Sequence, residues 1–285
     1  IPHKVCSYSC VYCQVGKTRR LETHLQPFYN PKLIFNDVNN FINRLLESGE
    51  MPDYIAFVPD GEPTLDINLG NLIDILKSFR IPVAIITNSS LIPNLEVQQH
   101  VMKADYISVK IDSVSNDIWQ KINHPHKQLN LNEILEGLDL FSQYFTGILT
   151  TETMLVKGMN DDLKEIKKMA TFISKLQPYK AYLGIPTRPP ANTNIQGIDE
   201  ITMAKAFHLY SENISRVELL TTYEGNDFST TGDAKQDILK ISSVHPMREE
   251  AVFELIKKTG SDLNLPKLLI EQNLLEKIYY QVSYY

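Results

Sequence analysis

The sequence predicts an α/β protein built on a parallel sheet wrapped by helices. Short β-prone runs alternate with amphipathic helical runs through most of the chain. The repeating unit is about 30–35 residues long, enough for a strand, a crossover helix and two connections. At 285 residues the length suits one barrel-sized domain with a small appendage. No run of about 18 apolar residues breaks the pattern, so no membrane-spanning helix is expected.

The elements follow in order. Leu33, Ile34, Val38, Phe41, Ile42, Leu45 and Leu46 recur at helical spacing, and Gly49 stops that helix. Tyr54–Val58 reads as a buried strand, and Leu69, Leu72, Ile73, Leu76 and Phe79 mark the next helix. Val83–Ile86 is a strand, and a short helix around Asn94–Met102 leads into a strand over Tyr106–Asp112. Leu131, Ile134, Leu135, Leu138 and Phe141 make a helix before a strand near Ile148–Val156. Leu163, Ile166, Met169, Ile173 and Leu176 make another before a strand near Ala181–Ile185. A helix near Ile201–Tyr210 and a strand near Val217–Leu220 complete the series. Right-handed crossovers let such units close into a barrel or lie in an open doubly wound sheet, and periodicity does not choose between them.

Beyond Gly225 the pattern changes. Asn226–Asp233 is rich in Ser, Thr, Gly and Asp and reads as a loop. His245-Pro246 opens a helix through Val252, Leu255 and Ile256 that Gly260 closes, and Ser261 is positioned to cap a second through Leu263–Leu269. Leu274–Tyr285 is aromatic and β-prone. The expected division is therefore a main domain over 1–224, a linker over 225–244 and a winged-helix-like module over 245–285. The chain opens at Ile1 with neither an initiator methionine nor a leader, which reads as a trimmed N-terminus.

A net charge of −6 argues against a surface coated with nucleic-acid-binding lysines. The 3 cysteines cannot build a disulfide framework, and they sit together as Cys6-Ser-Tyr-Ser-Cys10-Val-Tyr-Cys13. That crowding reads as a metal site in a reducing compartment, so a cytoplasmic location is expected. A C-x3-C-x2-C segment can ligate three irons of a cubane cluster and leave the fourth iron open. It can equally close a tetrahedral zinc site if His3 or His24 supplies the fourth ligand.

After the strand that ends at Val58 comes Pro59-Asp60-Gly61-Glu62-Pro63-Thr64-Leu65. The glycine allows close backbone approach, and a carboxylate there faces the C-terminal rim of a barrel. Together with the cysteines, this stretch resembles the radical S-adenosylmethionine superfamily, with Asp60 in place of the first glycine of its G-G-E-P-type motif. Val5–Thr18 looks like the wyosine-synthase-related branch of that family, in which many members have no assigned substrate. The resemblance implies a partial (β/α)6 TIM-like barrel and one [4Fe-4S] cluster on Cys6, Cys10 and Cys13. It implies S-adenosylmethionine as the second cofactor, cleaved reductively to a 5′-deoxyadenosyl radical that abstracts hydrogen from a substrate. Tyr12 would then lie near the adenine, and Gly61, Glu62 and Pro63 would hold the amino group.

Other candidates come from the strand ends. Ser108, Lys110 and Asp112 share one face of their strand, where they would touch cofactor or substrate, or form a Lys110–Asp112 ion pair. A lysine of lowered pKa there could form a Schiff base with a carbonyl substrate, which makes Lys110 the catalytic candidate. Asn88 follows the third strand at the rim, and Glu152 is a polar insertion in an apolar strand, so both are cofactor-binding candidates. Arg188, stiffened by two following prolines, is either a carboxylate clamp or a solvated surface group. The expected partners are a flavodoxin- or ferredoxin-like low-potential electron donor and a substrate that is a tRNA base or a peptide. The reading from a different class is an iron–sulfur sensing, nucleic-acid-binding regulator. It would leave Gly61-Glu62-Pro63 and the six strand–helix units without a use.

Overall fold

A computed structural model describes residues 2–285 apart from Ser48, Glu50, Pro59, Tyr223, Glu224, Asp227, Ser229 and His245. The chain enters through two short parallel strands, β1 (Val5–Cys6) and β2 (Arg20–Leu21), followed by helix α1 (Pro31–Glu47). Six strands then form one sheet: β3 (Ile55–Phe57), β4 (Val83–Thr87), β5 (Tyr106–Lys110), β6 (Ile148–Met154), β7 (Lys180–Gly184) and β8 (Val217–Leu220). They lie side by side in chain order and every pairing is parallel. Helices α2 (Leu69–Leu76), α3 (Leu95–Val101), α4 (Asn116–Asn123), α5 (Leu131–Tyr144), α6 (Leu163–Lys175) and α7 (Glu200–Ser211) make the crossovers. The sheet stays open between β3 and β8, so the architecture is the partial (β/α)6 barrel that the resemblance implies.

The two-residue period of the strands decides which side chains face the helices. Ile85, Ile107, Val109 and Leu183 are fully buried beneath them. The inward row of β5 and β6 is polar instead, and the register sets Ser108 beside Thr150 and Lys110 beside Glu152. Asn94, Asn130, Asp162 and Asp199 cap α3, α5, α6 and α7, each accepting a backbone N–H of the first turn. Helix α4 was not visible in the sequence because few of its residues are apolar. Its Trp119 and Ile122 are buried, and His124 ends it in the left-handed region at φ 40°.

Past the sheet come α8 (Ala234–Val244), α9 (Glu249–Thr259), α10 (Leu265–Glu271) and the antiparallel hairpin β9 (Ile278–Tyr280) and β10 (Val282–Tyr284). The order there is three helices followed by a hairpin. The stretch expected as a linker therefore contains a helix. Ala234 and Ile238 of α8 share an apolar cluster with Val252, Leu255, Ile256 and Leu269, while the polar residues between them hid the periodicity. The loop before α8 is tied down by Asp237, which accepts from Thr230 Oγ1 at 2.7 Å and from Thr231 N at 2.8 Å. The second helix expected after Ser261 opens later, at Leu265, with Asn264 as its cap residue and Pro266 in its first turn. His245, expected to open α9, lies outside the described residues.

The turn after β5 hangs on one buried carboxylate. Glu165 of α6 accepts from Ser113 Oγ at 2.5 Å, Ser115 Oγ at 2.6 Å and the backbone N–H groups of Val114 and Ser115, both at 3.1 Å. Burial on its own would raise its pKa, but these donors and Lys168 outweigh it and leave the group lowered. A carboxyl lowered in the folded state stabilises above its unfolded value of about 4.3 and loses that contribution as pH falls through the folded value. Glu165→Gln should therefore destabilise the protein by about 2 kcal/mol at neutral pH. Urea unfolding should show the difference from wild type shrinking on acidification.

Candidate functional site

The N-terminal segment runs across the C-terminal ends of the strands. Lys4 N donates to Asp60 O at 2.7 Å and Glu62 N donates to Val5 O at 3.1 Å, which joins β1 to the stretch after β3. On the other side, Ser9 N and Val11 N donate to Asn123 O and Ile122 O, both at 2.9 Å. The cysteine loop is thus held between the β3 extension and the end of α4.

Asp112, just beyond β5, anchors the same loop from below. One carboxylate oxygen accepts from the Tyr12 hydroxyl and from Asn123 Nδ2 at 2.8 Å. The other accepts from Met154 N at 2.9 Å. Burial raises the Asp112 carboxyl above its ordinary value, with Lys110, Tyr12 and Asn123 pulling the other way.

These elements enclose a cavity of about 320 Å³. Cys6, Cys10, Cys13 and Tyr12 form one wall, and Gly61, Glu62 and Asn88 form the next. Lys110 and Glu152 lie on the floor, and Ile185–Arg188 close the far side. Two expected residues are elsewhere. Ser108 is buried one inward step below Lys110 and does not line the cavity, because the parallel register pairs it with Thr150 rather than with the rim. Pro63 is buried at the start of a short 3-10 turn that Glu62 caps, so it supports the wall from behind.

Glu62 is 1% exposed. Its Oε1 accepts from Thr87 Oγ1 at 2.6 Å, Thr64 Oγ1 at 2.7 Å and Thr64 N at 3.1 Å. Oε2 accepts from Asn88 N at 2.8 Å, which leaves it one acceptor position. Burial lifts the Glu62 carboxyl above its ordinary value despite these donors. Most of its capacity thus goes to joining β3 to β4 through Thr87 and Asn88, which stand at the rim at that strand's end.

Lys110 pairs with Glu152, Nζ to Oε1 at 2.6 Å, and not with Asp112 as the ion-pair reading had it. Its ammonium also stands 5.2 Å from the centre of the Tyr12 ring. Burial works against the charge, but Glu152 and Asp112 prevail and hold the Lys110 pKa above its ordinary value. That direction is opposite to the lowered pKa expected of a nucleophilic lysine. Arg188 is 6% exposed, so it is no surface group, and Nε donates to Pro246 O at 3.2 Å.

Each thiol accepts one side-chain N–H: Cys6 from Asn88 at 3.4 Å, Cys10 from Asn123 at 3.3 Å and Cys13 from Lys4 at 3.1 Å. Burial, reinforced by Glu62, pushes the Cys6 thiol up to about 12, and burial with Asp112 pushes Cys10 up as well. Among the described residues, no group of three or more His, Cys, Asp or Glu side chains is gathered as around a single metal ion. His3 and His24 sit instead against carboxylates, 3.6 Å from Asp60 and 3.0 Å from Glu22. A cubane takes each cysteine on a different iron, and all three cysteines line this one cavity.

The Radical SAM superfamily profile matches residues 1–171. The chain belongs to the radical SAM superfamily. It is 42% identical over 282 residues to a UPF0026 protein of Methanocaldococcus jannaschii, covering 98% of this chain and 87% of that one. A UPF0026 protein of Helicobacter pylori is 30% identical over 188 residues, 65% of this chain and 59% of its own length. Among solved structures, TYW1 with a lysine–pyruvate adduct bound superposes with a TM-score of 0.54 at 18% identity, covering 74% of this chain and 71% of that one. Streptococcus suis SuiB bound to precursor peptide SuiA superposes with a TM-score of 0.56 at 14% identity, covering 78% and 47%. At such identities the likeness is one of fold. Family membership makes the chain a radical SAM enzyme of unidentified substrate and sets the regulator reading aside. Among the described residues, no helix is long and apolar enough to cross a membrane.

Two outcomes follow from this geometry. In cluster-free protein a raised pKa means little thiolate, so Cys6 and Cys10 should react slowly with a disulfide reagent at pH 8 and fast only after unfolding. Lys110→Met should destabilise by about 3 kcal/mol by leaving Glu152 without its cation. Thermal unfolding should show most of that loss recovered in the Lys110→Met, Glu152→Leu double variant.

Proposed function

We propose that Cys6, Cys10 and Cys13 hold one [4Fe-4S] cluster and that S-adenosylmethionine binds in the adjoining cavity. When bound, the pair supplies a 5′-deoxyadenosyl radical, made by one-electron reductive cleavage of the sulfonium, that abstracts hydrogen from a substrate. The observation that carries this reading is that the three cysteines and Gly61-Glu62 line one cavity at the C-terminal rim of the sheet.

The chain's own residues have separable tasks. Tyr12 presents a buried ring beside the cysteines, with its hydroxyl fixed on Asp112, as a wall for the adenine. The remaining acceptor position of Glu62 Oε2 and the Gly61 backbone would hold the cofactor's amino group. Asn88 reaches Cys6 with its side chain while its backbone N–H secures Glu62. The Lys110–Glu152 pair orients polar groups of cofactor or substrate from the floor rather than forming a covalent bond. Ile185 and Met154 add an apolar margin that excludes water from a reactive intermediate.

The electron comes from a flavodoxin- or ferredoxin-like donor in the cytoplasm. A tRNA base or a peptide is the substrate class, and the SuiB complex with its precursor peptide supports the second. The lysine adduct of TYW1 is not carried over to Lys110, whose amine is engaged by Glu152. The C-terminal module, taken to begin at Ala234, frames the entrance. Tyr284 Oη donates to Thr187 O at 2.7 Å, and Tyr280 Oη to Pro186 O at 3.4 Å.

The test is electron paramagnetic resonance on anaerobically reconstituted, dithionite-reduced protein, with product analysis. A [4Fe-4S]+ signal that changes on adding S-adenosylmethionine, with release of 5′-deoxyadenosine, is expected. Cys10→Ala should reduce product to background. A Cys10→Ala protein with a four-iron cluster and undiminished cleavage would remove the assignment.

A further inference from the structure

The three thiols differ in what touches them. Cys6 and Cys10 accept from the neutral amides of Asn88 and Asn123, whereas Cys13 accepts from the amine of Lys4 at 3.1 Å. Lys4 is 3% exposed, so its charge is not spread into water. Its backbone is fixed to present it. At φ 62° it sits in the left-handed region that non-glycine residues seldom adopt. Its N–H is bonded to Asp60 O, and its carbonyl accepts from Arg19 N at 3.0 Å and Arg20 N at 3.3 Å. The backbone at Lys4 is thus held by hydrogen bonds to Asp60, Arg19 and Arg20.

A cation on a ligating sulfur offsets negative charge there, and net charge and hydrogen bonds at the sulfurs are among the things that set an iron–sulfur potential. We infer that Lys4 is a positioning residue that, through Cys13, raises the reduction potential of the cluster and so eases electron uptake from the donor. The inference rests on the cysteines being cluster ligands. The step concerned is balanced: the donor gives up one electron and the cluster passes from the 2+ to the 1+ state, with no bond made or broken. The same offset lowers the driving force for passing that electron onward, so Lys4 sets a compromise between loading the cluster and discharging it.

The experiment is a redox titration without S-adenosylmethionine, followed by electron paramagnetic resonance, on reconstituted wild type, Lys4→Met, Lys4→Gln and Lys4→Arg, with iron content measured for each. Lys4→Met should lower the midpoint by a tenfold change in the one-electron equilibrium, about 59 mV. Lys4→Gln, which keeps a donor without the charge, should fall between Lys4→Met and wild type, and Lys4→Arg should stay with wild type. Equal midpoints in wild type and Lys4→Met at equal iron content would overturn the inference, as would Lys4→Arg falling with Lys4→Met. Variants that take up no iron while wild type does would make Lys4 a folding residue, which also overturns it. Wild type that assembles no four-iron cluster fails at the functional reading and takes this inference down with it.

Discussion

One buried carboxylate, Asp112, joins the cysteine segment to the sheet. It accepts from Tyr12 between two of the cysteines, from Asn123 at the end of α4 and from Met154 N at the end of β6. Three separate parts of the chain meet on two oxygens that water does not reach. Leaving any of those donors without its acceptor would expose a buried polar group to the cost of an unmade hydrogen bond. The N-terminal segment has little regular structure of its own, and β1 spans only Val5–Cys6. The loop is therefore held at the rim by these side chains and by its backbone bonds to the β3 extension and α4.

Around that anchor the charges of the cavity fall into order. Lys110 neutralises Glu152 on the floor, Lys4 stands at Cys13, and Glu62 is almost fully engaged by Thr64, Thr87 and Asn88. Each carboxylate serves packing as well as chemistry, because an ion taken out of water must find partners. The C-terminal module adds to this rim rather than standing apart. Its hairpin tyrosines donate to the Pro186–Thr187 carbonyls, and Arg188 reaches back to Pro246.

The six parallel strands and most of their helices were legible in the sequence because their apolar residues recur at strand or helix spacing. Helices α4 and α8 were not, since each buries only a few residues among polar ones. The three cysteines and the Gly61-Glu62 turn were legible as short motifs. Asn88 was legible as a polar residue just past a strand and Glu152 as a polar insertion in an apolar one, and both line the cavity. Ser108 was misplaced by one inward step, because the pattern of a strand reveals its face but not its depth. Lys4 went unnoticed because a lysine before a motif looks like any solvated lysine until its exposure is known.

By itself, the sequence determined the alternation that makes a parallel α/β sheet and the local spacing that sets three thiols in one loop. Both are properties of neighbours along the chain, fixed by the strand and helix periods and by the reach of a few residues. Only the tertiary structure decided that Lys110 meets Glu152 and not Asp112, that Glu62 serves β4, and that each sulfur receives its own donor. Those choices depend on strand register and on contacts between residues far apart in sequence. They also decide each group's charge, because burial and the nearest opposite charge act through space, and chain spacing carries no information about either.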